Sequence, residues 1–272
     1  MASYLRPTTL NEALAALAAG PRTLLAGGTD HYPARATFEP DEDILDLTAL
    51  PGLRRIERDG AYWRIPALAT WTALIEADLP PLFDGLREAA SQVGGWQVQN
   101  RGTIAGNVCN ASPAADGIPA LLALDAELEL ASVAGTRALP LERFLLGPRR
   151  TARRPDEVLV AIRVPDRQGR SVFEKLGARR YLVISISMVA VTLELDGSGL
   201  VVHARVAVGA CGPVATRLQA LEAALLGRRP DPALVRPEHL APLSPIDDVR
   251  ATAAYRMAAT AEKLRRALER FG

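Results

Sequence analysis

Two short glycine-bearing stretches decide the fold, and they read Ala26-Gly27-Gly28-Thr29-Asp30 and Thr103-Ile104-Ala105-Gly106-Asn107. The residues Thr23-Leu24-Leu25-Ala26 predict a buried strand that ends at a sharp turn at Gly27-Gly28. Because glycine has no Cβ, such loops let main-chain amides and short hydroxyls approach an anion closely. An isolated Gly-Gly is ordinarily only a turn, so one loop alone would not indicate a binding site.

Neither loop matches a common phosphate-binding signature. The sequence has no G-x-G-x-x-G motif that opens a crossover helix, and no glycine loop that ends in Lys-Ser or Lys-Thr. It also lacks the G-x-S-x-G element of hydrolases. These absences argue against a nicotinamide Rossmann domain, a P-loop and a serine hydrolase.

The composition is that of a folded protein with little net charge. Of 272 residues, 49% are hydrophobic and 23% are charged, and 32 basic side chains nearly cancel 31 acidic ones. This excludes a disordered chain and argues against a nucleic-acid-binding surface. The length suits two modest domains, or one large domain with an appendage.

Cysteine and histidine are too scarce for a metal centre or a disulfide framework. There are two cysteines, Cys109 and Cys211, and three scattered histidines without ligand spacing. The longest apolar stretch, 181–195, is shorter than the roughly 20 residues that cross a bilayer. The N-terminal residues lack the pattern of a secretory signal. We therefore expect a cytoplasmic protein with no membrane span and no metal of its own.

Local patterns predict a mixed α+β chain. Thr9 and Glu12 form a capping box that begins a helix ending near Gly20. Apolar alternation predicts an antiparallel meander over 44–65, with strands at 44–47, 53–56 and 62–65. Helices are predicted at 70–77, at 82–92 and from Asp116, and a strand is predicted at 127–130.

The C-terminal pattern places a domain junction near residue 168. Strands at 158–164 and 171–175 flank a turn at 165–169, and strands at 184–195 and 201–208 flank the hairpin signature Asp196-Gly197-Ser198-Gly199. Helices follow at 215–226 and at about 250–271, the latter with Tyr255, Ala258, Leu264 and Leu268 on one face.

These motifs together resemble the FAD-binding, or medium, subunit of molybdenum hydroxylases, such as xanthine dehydrogenase, carbon monoxide dehydrogenase and 4-hydroxybenzoyl-CoA reductase. The resemblance runs nearly end to end. It rests on Leu-Leu-Ala-Gly-Gly-Thr-Asp at 24–30, Gln-Val-Gln-Asn-Arg-Gly-Thr-Ile-Ala-Gly-Asn at 97–107, Asn-Ala-Ser-Pro-Ala-Ala-Asp at 110–116, Phe-Glu-Lys-Leu-Gly at 173–177 and Pro-Ile-Asp-Asp-Val-Arg at 245–250.

The resemblance implies an α+β FAD-binding fold of the vanillyl-alcohol-oxidase (PCMH) type. Its FAD-binding domain would span 1–167, in two α+β subdomains at about 1–50 and 51–167. A small C-terminal domain of antiparallel sheet and helices, typical of carbon monoxide dehydrogenase flavoproteins, would span 168–272. The chain lacks the cysteine-bearing insertion that gives 4-hydroxybenzoyl-CoA reductases a further 4Fe–4S cluster.

The same resemblance assigns cofactor-binding residues by position. Residues 26–30 and 103–107 would embrace the pyrophosphate of a non-covalently bound FAD from two sides. Asp116 matches a family FAD ligand, Leu159 an apolar wall, and Lys175 a cation near the ring or the dinucleotide tail. An ordinary surface lysine is the alternative for Lys175. No side chain is expected to act as a catalytic acid or base.

Several positions leave alternatives open. Val93 matches a contact that is aromatic in some relatives, so Trp96 or Tyr181 could stack on the flavin instead, or could simply be packing residues. Cys109 could be an inert core residue or a thiol near the flavin. The arginines within 149–154 could contact a partner subunit or an anionic acceptor, or could form a solvated loop, which is the usual role of a charge run.

The function implied is electron transfer within a heteromeric complex. Electrons would pass from 2Fe–2S clusters on a small partner subunit through FAD to NAD, a quinone or oxygen, and molybdopterin would reside on a large partner subunit. Two alternatives are a free-standing FAD-dependent oxidase or reductase of the same fold and a flavin-free structural subunit.

Overall fold

The computed structural model describes residues 2–35 and 42–272. The N-terminal part contains strands β1 (Tyr4–Leu5), β2 (Thr23–Leu25) and β3 (Ile44–Asp46) and helix α1 (Leu10–Ala18), with the strands in the parallel order β1-β3-β2. The Glu12 amide donates a hydrogen bond to the Thr9 hydroxyl at 3.2 Å, and the Thr9 amide donates one to the Glu12 carboxylate at 3.2 Å. These two bonds confirm the capping box. Leu14 and Leu17 of α1 pack with Leu45 of β3.

A longer segment of alternating helices and strands follows. In chain order its elements are β4 (Glu57–Asp59), β5 (Tyr62–Pro66), α2 (Trp71–Glu76), α3 (Asp84–Ser91), α4 (Trp96–Arg101), α5 (Ile104–Asn110), α6 (Gly117–Ala123), β6 (Glu127–Ser132), β7 (Gly135–Pro140), α7 (Leu141–Phe144), β8 (Leu145–Gly147), β9 (Arg150–Thr151) and β10 (Val158–Pro165). Its main sheet is antiparallel in the order β4-β5-β10-β6-β7. Residues of α2, α3 and α6 share one core with this sheet, which includes Trp71, Phe83 and Leu121.

The predicted antiparallel meander over 44–65 is wrong. Strand β3 pairs in parallel with both β1 and β2, and residues 53–56 form no strand. The backbone shows why, because the Ile44 amide donates to Ser3 and the Thr23 amide donates to Asp43, so both edges of β3 are already paired. Leu53 is buried in the same core as Leu45.

The C-terminal part is an antiparallel sheet covered by helices. Its elements are β11 (Arg170–Leu176), β12 (Ser187–Leu195), β13 (Val201–Gly209), β14 (Thr216–Arg217), α8 (Gln219–Leu225) and α9 (Ala253–Glu269), with the strands in chain order across the sheet. The β12–β13 hairpin is confirmed. Strands β10 and β11 belong to different sheets.

The predicted inner face of α9 is partly wrong. Leu264 and Leu268 are buried as expected, but Tyr255 and Ala258 face solvent. Arg256 and Thr260 take the buried positions instead. Polar partners make this possible, because Arg256 donates to the Ile186 carbonyl at 2.6 Å and Thr260 pairs with the Ser187 hydroxyl at 2.6 Å.

Within the described parts of the chain, no helix has both the length and the apolar character needed to cross a membrane. The same residues contain no group of three or more His, Cys, Asp or Glu side chains that could hold a metal ion.

Candidate functional site

The first glycine loop lies at the carboxyl end of the small parallel sheet. Strand β2 ends at Leu25, and Gly28 turns the chain with φ +72°, a backbone conformation that side chains with a Cβ rarely adopt. A Cβ at Gly28 would also lie 2.8 Å from the ring of Tyr32. Ligands of open sheets commonly bind outside the carboxyl ends of parallel strands, and the loop lies at this edge.

The stretch 103–107, predicted as a second loop, is a loop only at Thr103, because residues 104–107 form the first turn of α5. Main-chain pairing with residues 69–71 fixes this start of α5. The Trp71 amide donates to the Gly102 carbonyl at 3.2 Å, and the Ile104 amide donates to the Ala69 carbonyl at 3.1 Å. The Thr103 hydroxyl caps α5 by accepting the Gly106 amide at 2.9 Å. This geometry places Thr103, Ala105 and Gly106 along one wall of a cleft.

The two loops meet main chain to main chain. A Cβ built on Gly27 would lie 2.7 Å from the carbonyl carbon of Arg101 and 2.9 Å from Cα of Gly102, and closer still to the Arg101 carbonyl oxygen. A Cβ on Gly102 would lie 3.1 Å from the Thr29 hydroxyl oxygen. Only glycine permits this approach, so residues 75 positions apart form a single structural unit.

Several amides in this unit have no acceptor. Among the described residues, nothing accepts the amide hydrogens of Gly27, Gly28, Thr29 and Asp30, nor those of Thr103 and Ala105. The first amides of a helix such as α5 have no intrahelical acceptor, and the amides of residues 27–30 lie in a turn that is partly exposed. A run of unpaired amides around a concave turn is the arrangement that binds anions.

The cleft between the loops has a volume of about 640 Å³. Its lining includes ten of the thirteen sequence-predicted cofactor residues, namely Ala26, Gly27, Gly28, Thr29, Asp30, Thr103, Ala105, Gly106, Asn107 and Leu159. Ile104, Asp116 and Lys175 are not in the lining. Ile104 is fully buried, with its side chain in the main core.

Asp116 and Lys175 contact each other. The Lys175 ammonium lies 2.6 Å from an Asp116 carboxylate oxygen, and the Ser185 hydroxyl donates to the other oxygen at 2.5 Å. Their side chains are only 10% and 4% exposed, respectively, so Lys175 is not a surface lysine. Burial raises the pKa of the Asp116 carboxyl above its usual value, and Lys175 and Ser185 oppose that rise. This ion pair joins α6 to β11.

The chain's sequence matches two family descriptions in tandem. Residues 1–167 match the FAD binding domain in molybdopterin dehydrogenase, and residues 173–271 match the CO dehydrogenase flavoprotein C-terminal domain. The chain belongs to the FAD-binding medium subunits of the molybdenum hydroxylases. The resemblance read from the sequence motifs is confirmed. So is its classification as an oxidoreductase flavoprotein that binds FAD.

Individual relatives of this flavoprotein family agree. The xanthine dehydrogenase FAD-binding subunit of Escherichia coli O157:H7 is 35% identical over 232 residues, which are 81% of this chain and 78% of that protein. The carbon monoxide dehydrogenase medium chain of Hydrogenophaga pseudoflava is 31% identical over 277 residues, or 97% of this chain and 95% of that protein.

A solved structure confirms the fold. The chain superimposes with a TM-score of 0.90 and 32% identity on a chain of Hydrogenophaga pseudoflava carbon monoxide dehydrogenase, in a form that lacks the Mo-pyranopterin moiety of its molybdenum cofactor. The match covers 98% of this chain and 96% of that one. The expected α+β FAD-binding domain followed by a C-terminal domain is therefore confirmed.

The residues of this flavoprotein's cleft fit FAD. The unpaired amides at 27–30 suit a diphosphate, and Asn107, which lines the cleft, has a buried side-chain oxygen with no partner among the described residues. Leu159 and Val93 give part of the lining an apolar surface. The cleft thus offers hydrogen-bond donors on one side and apolar side chains on another. This combination suits a dinucleotide, which has a charged diphosphate and an aromatic ring system.

The two aromatic candidates for stacking lie outside the cleft lining. Trp96 is 74% exposed and Tyr181 is 59% exposed. Cys109 does line the cleft, and burial raises the pKa of its thiol to about 11, so it is a neutral thiol near neutral pH.

Sequence reasoning missed the cationic part of this cleft. Arg22, Arg149 and Arg153 all line it, whereas the charge run at 149–154 by itself indicates a solvated loop. Arg153 donates to the Glu157 carbonyl at 2.7 Å, and Arg149 sits in the turn between β8 and β9. Pairing of β8 with β9, which no alternation in the sequence indicated, brings both side chains to the cleft.

Proposed function

We propose that this chain carries electrons from the 2Fe–2S clusters of a small partner subunit through FAD to an external acceptor, which is NAD, a quinone or oxygen. In this proposal molybdopterin and the hydroxylated substrate belong to a large partner subunit. The support for an assembly is that the chain resembles medium chains and FAD-binding subunits over most of their length.

One observation carries the proposal, namely that two main-chain turns with unpaired amides converge at Gly27 and Arg101 on one cleft. When bound there, FAD supplies the exchange between one-electron and two-electron transfer. The chain's own residues bind FAD and orient it. The amides of 27–30 hold the diphosphate, while Leu159 and Val93 exclude water from the apolar part of the cleft.

The cofactor-binding assignments made from sequence belong to this proposal. Ten of the thirteen residues line the cleft, which supports their assignment. Ile104, Asp116 and Lys175 stay predictions from the resemblance, because their described partners are protein groups. For Asp116 and Lys175 the geometry supports a structural role, in which the ion pair links the start of α6 to β11.

We also propose the domain division at 167/168, with subdomains at about 1–50 and 51–167. It is supported by the separate sheets on either side of residue 168, and by the small parallel sheet that ends at Asp46. The cytoplasmic location remains a prediction from the sequence.

Purification of the untagged protein from its own source, followed by a subunit and cofactor inventory, tests the electron-transfer proposal. We expect two further polypeptides to co-purify, one with molybdopterin and one with 2Fe–2S clusters, and about one FAD per copy of this chain. A chain that purifies alone with FAD and turns over a small organic substrate would contradict the subunit role. A complex with no flavin would contradict the binding role.

A further inference from the structure

Arg149 bridges the two sides of the FAD cleft at its rim. Its Nη1 donates to the side-chain oxygen of Asn110 at 2.6 Å and lies 3.1 Å from a carboxylate oxygen of Asp30. Asp30 ends the first glycine loop, and Asn110 is the last residue of α5. All three residues line the cleft, so one guanidinium joins the first loop to the helix that carries the second.

The backbone holds Arg149 in place. Its amide donates to the Ala111 carbonyl at 2.9 Å, and both residues have positive φ, +56° for Arg149 and +46° for Ala111. Such angles are uncommon for residues with a Cβ. They persist here in the tight turn between β8 and β9, against the end of α5. The guanidinium therefore projects from a fixed point rather than from a free loop.

Asp30 poses an electrostatic problem for a dinucleotide. The unpaired amides of residues 27–30 favour an anion, yet the same segment carries the Asp30 carboxylate. FAD brings a diphosphate with two negative charges. Like charges that lie close together repel each other, and the repulsion grows as solvent is excluded from around them. Asp30 has to be neutralised for the loop to serve as an anion site.

The Asp30–Arg149 pair contributes little to folding itself. Its side chains are 57% and 63% exposed, and exposed ion pairs add little to stability. What distinguishes this pair is its place across the cleft rather than its strength.

We propose that Arg149 is a positioning residue for FAD, which neutralises the Asp30 carboxylate so that the first glycine loop can accept the diphosphate. The inference rests on the binding of FAD in this cleft. It assigns Arg149 no electron-transfer role.

Titration of the flavin-stripped protein with FAD, followed by flavin fluorescence, tests the inference with four variants. We expect Arg149→Gln to weaken FAD binding about tenfold, and Arg149→Lys, which keeps the charge, to recover most of it. Asp30→Asn keeps the main-chain amide that is assigned to the FAD site and removes only the carboxylate charge, so it should bind FAD at least as tightly as the unaltered protein. Asp30→Asn combined with Arg149→Gln should restore most of the affinity, because no carboxylate is left to neutralise.

The matched control is Arg154→Gln, because Arg154 is an exposed arginine in the same segment that does not line the cleft. We expect this substitution to leave the FAD affinity unchanged. The loss of FAD affinity in Arg149→Gln should also become smaller at high salt, because salt screens exposed charges. The melting temperatures of the stripped proteins should agree closely, so that a folding defect is recognised.

The inference is overturned if Arg149→Gln binds FAD normally, or if Asp30→Asn fails to rescue it. It is equally overturned if Asp30→Asn alone weakens binding tenfold. A separate outcome is that the unaltered protein binds no FAD, which would remove the binding proposal itself. The Asp30→Asn measurement does not depend on the folding of the Arg149→Gln variant.

Discussion

Gly27 lies directly against the carbonyl group of Arg101, with no room for a Cβ between the two main chains. This contact joins β2, in the small parallel sheet, to the turn that precedes α5. Residues on both sides of it line a shared cleft. The proposed binding site therefore depends on the contact between two distant segments, and on neither segment alone.

Gly27→Ala tests that contact. The added methyl would collide with the Arg101 carbonyl, so we expect the loops to separate, most of the bound FAD to be lost, and stability to fall by about 1 to 3 kcal/mol. The measurement is the flavin absorbance per polypeptide after purification. Gly20→Ala is the control, because a Cβ there meets nothing within 4 Å. Normal flavin content in Gly27→Ala would show that the close approach is dispensable.

Lys175→Met tests the buried ion pair. Removing one partner leaves the Asp116 carboxylate buried with only Ser185, and broken buried pairs typically cost about 3 to 5 kcal/mol. Lys263→Met, which breaks the less buried Lys263–Glu174 pair, should cost less in the same chemical denaturation experiment. Equal losses in the two variants would contradict the structural role of Lys175.

The same variant has a defined pH dependence. Burial raises the pKa of Asp116, and Lys175 is the main opposing influence. Without Lys175 the pKa of Asp116 in the folded state lies further above its value in the unfolded state. At pH values between these two pKa values, the folded protein therefore binds more protons than the unfolded protein does. Stability of Lys175→Met should therefore fall as pH rises from about 4, more steeply than in the unaltered protein. Parallel pH profiles for the two proteins would argue against this linkage.

The Asp125 carboxylate should make stability depend on pH in the opposite direction. Burial alone raises its pKa, but hydrogen bonds from His203 and Arg205, together with the charges of Arg205 and Arg217, outweigh that effect and hold the pKa well below its usual value. Its stabilisation is present above the unfolded pKa and lost as pH falls through the folded one. Asp125→Asn should cost about 1 to 3 kcal/mol near neutral pH, with the difference shrinking below about pH 4.

Asp125 does not line the cleft, so Asp125→Asn also serves as a destabilised control for flavin retention. We expect it to keep its FAD under native conditions. A loss equal to that of Gly27→Ala would show that flavin content reports only general stability.

Cys109 should react slowly with iodoacetamide. Because its thiol pKa is about 11, the reactive thiolate is scarce near neutral pH, and the rate should rise steeply as pH approaches that value. Bound FAD should slow the reaction further, because Cys109 lines the cleft. A Cys211→Ser background isolates this thiol in mass spectrometry. Rapid labelling of the FAD-bound protein at neutral pH would contradict its placement.

Local features of the fold could be predicted from sequence because short-range chemistry sets them. The Thr9–Glu12 capping box and the β12–β13 hairpin are encoded within a few residues of each other. The parallel pairing of β3 could not be read in this way. Its alternation resembled a meander strand, and its partners at 4–5 and 23–25 are determined by tertiary packing against α1.

In the candidate site, too, the local features could be predicted from sequence and the long-range contacts could not. The glycine loops were recognisable from their residues, but their meeting at Gly27 and Arg101 is a long-range contact. Arg149 was hidden among neighbouring arginines, because only the β8–β9 turn and the α5 terminus turn it toward the cleft. A charge pattern alone does not say which cation faces a ligand.

Hydrogen–deuterium exchange of the flavin-stripped and FAD-loaded protein tests the central claim most directly. The amides of residues 27–30 and of Thr103 and Ala105 have no acceptor among the described residues, so they should exchange rapidly without FAD. We predict that FAD protects both segments together, at the same FAD concentration. Protection of one segment without the other, or of neither, would contradict the claim that the two loops hold the cofactor jointly.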